Sequence, residues 1–287
     1  MTSPGGRALM RNISLSALTV LPCSPLEQID AALEAGFDAV SLRVFPVMPT
    51  DLDVMADESL QAAIARRIAN TNLEVFDVEV VRLTRDTDVA AAISALDFAG
   101  GLGAQWLAVT SDYTSASDPA DEPLVVSLLA ELCEAAERAH MGVMLEFMPY
   151  RAIATLEDAM RVAMAVAHPN LGITVDALHF FRSGGTVDDL AAIDPRSLAC
   201  VQLCDAPRVP PADVQREARY GRLYPGAGEL PLEQLVSAIP ADLMICVEAP
   251  SASSAEASVF ERAREAASRT RDLLVRAAAD PTSQGNG

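Results

Sequence analysis

The feature that most constrains the fold of this chain is a short apolar run that recurs eight times, with amphipathic segments between successive runs. The runs are rich in branched and bulky residues, which is typical of buried parallel strands, and the segments between them have helical spacing. Eight strand–helix units in series, without a break in composition, predict a single (β/α)₈ TIM barrel of the α/β class. The runs begin near Asn12, Asp38, Leu73, Gln105, Gly142, Leu171, Leu198 and Leu243.

The predicted barrel spans residues 12–277, between a flexible N-terminus at 1–11 and a disordered polar tail at 278–287. Local signals agree with it: Ser24-Pro25-Leu26-Glu27 combines a helix N-cap, a first-turn proline and an early acid, and Gly36 ends that helix. An open doubly wound sheet is disfavoured, because no glycine-rich phosphate loop follows the first strand.

Four of the predicted strands end in side chains that can hold a divalent metal: Glu146, Asp176, Gln202 and Glu248. The carboxyl ends of barrel strands share one rim, so three carboxylates would repel one another there unless a cation neutralised them. Their hard oxygen ligands favour one Mg²⁺, Mn²⁺ or Co²⁺ ion. Taken singly, each carboxylate could instead cap a helix or pair with an arginine.

His179 follows the predicted ligand Asp176 by three residues, which places an imidazole on the same rim. A histidine with a pKa near neutrality can move a proton there, and we predict a catalytic acid/base. The alternative is a histidine that only packs against Phe180 and Phe181. His140 and His168 lie in turn-like segments and are expected at the surface.

The charged residues exclude several function classes. The formal net charge is −19, which argues against a nucleic-acid surface or an anionic-membrane surface. All 21 basic residues are Arg, so Schiff-base catalysis by lysine is excluded. No purely apolar stretch of membrane-spanning length occurs, and we expect a cytoplasmic protein. Arginines near strand ends and in one long loop indicate an anionic substrate: Arg43, Arg82, Arg182, Arg219 and Arg222.

The long loop from Asp205 to Pro231 is expected to cover a small-molecule substrate or to reach a neighbouring subunit in a homo-oligomer. Together with the strand ends, its motifs resemble the xylose-isomerase-like TIM-barrel superfamily of sugar-phosphate isomerases and epimerases. The resemblance covers roughly residues 12–275 and rests on Glu146, Asp176-x-x-His179, Gln202-x-x-Asp205, Arg219-x-x-Arg222-x-x-Pro225-Gly-Ala-Gly228 and Glu248.

The resemblance implies specific roles. Glu146, Asp176, Gln202 and Glu248 would bind one divalent metal, and His179, Arg219 and Arg222 would be catalytic. A polyhydroxylated, anionic substrate would be bound by Arg43, Arg82, Arg182 and Asp205. The expected reaction forms an enediolate from a hydroxyketone.

Gln202 is a departure, because many members of the superfamily have His at the third ligand position. Gln at this position is similar to the bacterial 3-dehydroshikimate dehydratases, which also use an early-strand Arg, here Arg82, for the substrate carboxylate. A dehydratase-type lyase is therefore the main expectation. The alternative is a sugar or sugar-phosphate isomerase or epimerase, or an inosose dehydratase or isomerase, with the same metal site. A non-catalytic barrel that only binds or regulates is a further alternative.

Overall fold

Eight parallel strands form the centre of the molecule in a computed structural model that describes residues 11–111 and 121–279. Each strand begins within one residue of the position expected from the sequence, because the apolar runs are the strands. They are β1 (Ile13–Ser16), β2 (Ala39–Arg43), β3 (Glu74–Leu83), β4 (Trp106–Ser111), β5 (Gly142–Glu146), β6 (Leu171–Asp176), β7 (Leu198–Leu203) and β8 (Met244–Val247).

The strands close into a barrel in sequence order. β1 pairs in parallel with both β2 and β8, with Ser14 opposite Ala39 on one side and Ile13 opposite Ile245 on the other. Helices alternate with the strands, so the prediction of a single (β/α)₈ barrel is confirmed. The predicted flexible N-terminus and polar tail lie almost wholly outside the described residues, and the last described helix ends at Ala279.

Local capping explains where several helices begin. Ser24 and Glu27 form a reciprocal capping box around Pro25, and Gly36 ends the helix with a φ of 75°, as the sequence indicated. Thr155 and Asp158 form a second such box. The helices are α1 (Ala17–Val20), α2 (Pro25–Ala35), α3 (Glu58–Ala69), α4 (Val89–Gly101), α5 (Asp121–Arg138), α6 (Leu156–Val166), α7 (Ala177–Arg182), α8 (Val187–Ala192), α9 (Val214–Tyr220), α10 (Leu232–Ser237) and α11 (Val259–Ala279), with 3₁₀ turns at Pro195–Ser197 and Ala252–Ser254.

The apolar interior is divided into two clusters by the two-residue period of the strands. In β5, Val143 and Leu145 belong to the large cluster between the barrel and its helices. Met144, between them in sequence, belongs to a smaller cluster that also contains Cys200 and Cys246. Side chains of the second set fill the inside of the barrel, and the next inward position of β5 is Glu146 at the rim. None of the helices in the described ranges is both long enough and apolar enough to cross a bilayer.

Candidate active site

The polar strand ends meet at one rim of the barrel, as their positions in the sequence predict. Glu146, Gln202 and Glu248 line a cavity of about 100 Å³, which we call the active-site cleft. Asp176 ends β6 beside it and is fully buried. One ligand atom each from Glu146, Asp176 and His179 lies within 4.8 Å of the others, which is close enough for a shared metal ion.

Two oxygen atoms of this rim have no hydrogen-bond partner. Oε1 of Glu146 and Oε1 of Gln202 are both buried without a donor. A buried acceptor that receives no hydrogen bond is costly, and a bound cation would remove that cost. Carboxylate and amide oxygens are also the donors that hard divalent ions prefer, so the residues fit the predicted metal.

Burial and mutual repulsion of the rim carboxylates raise the pKa values of two of them. Burial, followed by the charges of Glu248 and Asp176, raises the pKa of Glu146 well above its ordinary value. The pKa of Glu248 rises to about 7, chiefly through burial, although Arg222 lowers it. A divalent cation would favour the ionised form of both groups.

Arg222 supplies the positive charge that this structure places among the carboxylates. Its side chain is fully buried, with one nitrogen 2.5 Å from Oδ2 of Asp176 and another 3.1 Å from Oε2 of Glu248. Its Nε atom donates to the carbonyl of Ala218 in α9. Burial pushes the pKa of Asp176 upward, but Arg222 and then His179 outweigh it and hold that pKa below its ordinary value. The guanidinium thus neutralises two of the four predicted metal ligands.

His179 lies in α7, which Asp176 caps: the backbone N–H of His179 donates to Oδ1 of Asp176 over 2.9 Å. The imidazole is buried in the cleft wall, with Nε2 3.7 Å from Oε1 of Glu146 and 3.5 Å from Arg222. The edge of Tyr150 packs on it at 5.5 Å between ring centroids. Burial lowers the pKa of His179 to about 4, against the opposing charge of Asp176. The ring is therefore neutral at pH 7 and can accept a proton.

The other predicted site residues divide into two groups. Arg43, Arg82 and Arg219 line the cleft, and Arg43 also pairs with Glu79 at 3.2 Å and with Asp51 at 3.3 Å. Arg182 and Asp205 do not line it.

Those two residues shape the loop after β7 instead. Arg182 pairs with Glu217 of α9 at 2.7 Å and donates to the carbonyl of Pro207. The carboxylate of Asp205 accepts backbone N–H groups of Gly226, Gly228 and Leu230. In this structure Arg182 holds α9 and Asp205 holds the segment that follows it, and the contact of either residue with substrate stays a prediction.

Three ionisable lining residues were missed from the sequence: Glu79, Tyr150 and Arg151. Glu79 had a signal, because Asp77 and Glu79 occupy alternate positions of β3, with the apolar Val78 between them, and therefore share one face of the strand. Tyr150 and Arg151 follow β5 in a loop with no regular pattern. Only the folded chain brings them to the cleft.

Comparison with known proteins places this barrel in a family. The model of the xylose isomerase-like TIM-barrel family matches residues 29–274. An inosose isomerase from Bacillus velezensis is 23% identical over 233 residues, which cover 77% of this chain and 81% of that protein. An inosose isomerase from Halalkalibacterium halodurans is 30% identical over 114 residues, so that match spans only 39% of either protein.

Solved structures share the fold. The IOLI protein, solved with a bound zinc atom, has a TM-score of 0.82 at 19% identity, covering 94% of this chain and all of that one. The probable 3-DHS dehydratase AsbF from Bacillus anthracis has a TM-score of 0.70 at 16% identity, covering 90% and 97%. A xylose isomerase-like barrel from Mycobacterium smegmatis, solved with magnesium, has a TM-score of 0.67 at 18% identity, covering 94% and 98%.

The fold and the acidic rim define an enzyme of the metal-dependent isomerase and lyase type. The chain belongs to the xylose isomerase-like TIM-barrel family. The resemblance expected from the sequence motifs and the expectation of an enzyme are both confirmed.

Proposed function

We propose that this enzyme abstracts a proton beside the ketone of a polyhydroxylated cyclic substrate, forming an enediolate, and that it then eliminates water, as a 3-dehydroshikimate dehydratase does. One observation carries the proposal: the neutral His179 faces Glu146, whose unpartnered Oε1 lies with that of Gln202 at the same rim. A base that is neutral at pH 7 and a cation-binding set of oxygens are the two parts that enolisation requires.

The metal ligands would be Glu146, Asp176, Gln202 and Glu248. When bound, the ion would polarise the ketone oxygen and stabilise the negative charge that develops on the substrate. Asp176 and Glu248 would then exchange part of their interaction with Arg222 for the ion. That would leave the guanidinium able to hydrogen-bond a substrate oxygen.

His179 would take the α-proton on Nε2, the nitrogen that faces the cleft. Its backbone N–H is held by the cap at Asp176 and its ring packs against the edge of Tyr150, so the base is oriented before substrate arrives. Burial disfavours the imidazolium, which makes the protonated ring a good donor for the next step. The same residue can therefore protonate the leaving hydroxyl group.

Recognition of an acidic substrate would fall to the arginines of the cleft. Arg82 is the next-to-last residue of β3, and Arg219 lies in α9, so the two arginines line the cleft from different elements. A guanidinium binds a carboxylate through two parallel hydrogen bonds, which fixes orientation as well as charge. This arrangement and the Gln at position 202 support a dehydratase acting on a cyclic hydroxyketone acid.

A second candidate is the isomerisation of an inosose, and the sequence relatives favour it, because the matched proteins are inosose isomerases. Both candidates share enolisation by His179 and differ only in the fate of the enediolate. In isomerisation the proton returns to carbon, whereas in dehydration a neighbouring hydroxyl group leaves.

The deciding experiment mixes the metal-loaded enzyme with 3-dehydroshikimate and follows ultraviolet absorbance. Dehydration gives aromatic protocatechuate, so a chelator-sensitive rise is expected. His179→Asn should abolish the rise and the matched His168→Asn should retain it. In parallel, an inosose in D₂O is followed by proton NMR. Deuterium uptake there, without any absorbance change with 3-dehydroshikimate, would select isomerisation. If a protein that holds metal catalyses neither reaction, the proposal is contradicted.

A further inference from the structure

A second cavity, of about 350 Å³, adjoins the active-site cleft, and we call it the outer chamber. The two cavities share Leu18, Met48 and Arg219 in their walls. The rest of the outer chamber combines apolar side chains with two more arginines, Arg216 and Arg262. A ligand in the cleft could therefore extend into the outer chamber, whose walls are largely apolar and whose charged groups are all arginines.

Arg262, near the start of α11, is the unusual member of this lining. Its side chain is 91% buried, and one nitrogen donates to the carbonyl of Leu21 over 2.8 Å. Its Nε is buried without any hydrogen-bond partner. Across residues 11–111 and 121–279, no carboxylate pairs with this guanidinium. A buried charge that lacks a counter-ion is expensive, so the site is incomplete as it stands.

The deeply placed Arg43, Arg182 and Arg222 each have the carboxylate partner that Arg262 lacks, although Nε of Arg43 is also buried without a hydrogen-bond partner. Arg43 pairs with Glu79, Arg182 with Glu217, and Arg222 with Asp176. The chain has 40 acidic residues for 21 arginines, so carboxylates are abundant. The missing partner at Arg262 is therefore not explained by a shortage of acids.

Two further cations face the same space. Arg216 and Arg219 lie three residues apart in α9, so they project from one side of that helix. Within the described ranges neither forms an ion pair. Together with Arg262 they give the outer chamber three guanidinium groups and no carboxylate among its lining residues.

We infer that the outer chamber binds an anionic group of the substrate that is remote from the reacting carbons, a carboxylate or a phosphate in addition to the carboxylate that Arg82 would hold in the cleft. The inference rests on the proposed function for the hydroxyketone end, which would lie at Glu146 and His179. It narrows the substrate class to acidic hydroxyketones that extend beyond the cleft, in preference to a neutral inosose ring. Arg262 binds the anion inside the chamber, while Arg216 and Arg219 hold it from α9.

Binding of two probe anions tests the inference without depending on turnover. Inorganic phosphate and succinate are titrated by calorimetry into the metal-loaded protein, its Arg262→Gln variant and its Arg216→Gln variant. Charge-assisted hydrogen bonds are strong enough that either change should weaken binding of the preferred anion by about tenfold or more. The control is Arg264→Gln, which alters an exposed arginine of the same helix, paired with Glu34.

The preferred probe distinguishes a phosphate-bearing from a carboxylate-bearing substrate. Equal affinities in the parent protein, Arg262→Gln and Arg216→Gln would overturn the inference, because the anion would then be bound elsewhere, for example at the metal. Failure of both probes to bind would overturn it too. If Arg262→Gln does not fold, Arg262→Lys replaces it, since lysine keeps a charge but loses Nε. Anion binding without turnover would refute the reaction but not the subsite.

Discussion

Replacing Arg222 by Met tests whether a buried guanidinium and a metal ion serve the same carboxylates. The change removes the cation that contacts Asp176 at 2.5 Å and Glu248 at 3.1 Å, both inside the protein. Removing one partner of a buried pair costs about 3–5 kcal/mol, because the charge left behind is uncompensated. Here two carboxylates lose their partner, so we expect the upper part of that range in metal-free protein.

A metal ion should restore much of this loss, since it binds the same oxygens in the folded state only. At a free Mn²⁺ concentration 100 times the dissociation constant, ligand linkage adds about 2.7 kcal/mol. The variant should also bind Mn²⁺ more tightly than the parent protein, because no guanidinium competes for Asp176 and Glu248.

The assay is urea unfolding of both proteins with chelator and with Mn²⁺, combined with calorimetric titration of the metal. Arg264→Met serves as the control, because the exposed pair of Arg264 with Glu34, at 3.7 Å, should contribute at most about 1 kcal/mol. A loss below 1 kcal/mol for Arg222→Met without metal, or an unchanged metal affinity, would refute this account of the rim.

Three further predictions concern the same rim. His179 should titrate near pH 4 in metal-free protein, well below an ordinary histidine, because burial disfavours its charged form. The midpoint of its NMR titration, with the signal assigned by means of His179→Asn, checks this value. A midpoint at pH 6.5 or above would contradict the prediction. Its folded pKa is depressed, so its contribution to stability is complete above pH 6.5 and is lost as the pH falls towards 4. Glu248→Ala should abolish metal binding and turnover together, as measured by metal content and product formation; bound metal at one ion per chain would contradict its role. Arg82→Ala should raise KM about tenfold or more with little change in kcat if it holds the substrate anion, and an effect on kcat alone would be the opposite result.

Strand positions were predictable because each depends on a local pattern. A run such as Val143-Met144-Leu145-Glu146 specifies a buried strand and the side chain that ends it, whatever surrounds it. The rim ligands follow from that pattern and from the rule that barrel strands end at a common face.

Side-chain partners were less predictable, because they depend on elements distant in sequence. Arg222 could be assigned to the site from its motif, but its contact with Asp176, 46 positions earlier, requires the closed barrel. Arg182 was expected to face a substrate, whereas its nearest acid is Glu217, which α9 brings to it. Equally, nothing in the local sequence of Arg262 indicates that its guanidinium would be buried without a carboxylate.

The hydrogen bonds of Asp205 to the loop after β7 bear on how this enzyme could change its substrate over evolutionary time. Asp205 exchanges two backbone hydrogen bonds of 2.8 Å with Leu223, and its carboxylate binds the amides of Gly226, Gly228 and Leu230. The excursion between residues 206 and 222 therefore leaves and rejoins the barrel at one fixed point. Insertions, deletions or exchanges between residues 206 and 216 would alter the residues above the rim, Arg216 among them, at little cost to the strands below. Arg222 has to stay, because it neutralises Asp176 and Glu248. The barrel can thus keep its chemistry while the outer part of this excursion is replaced.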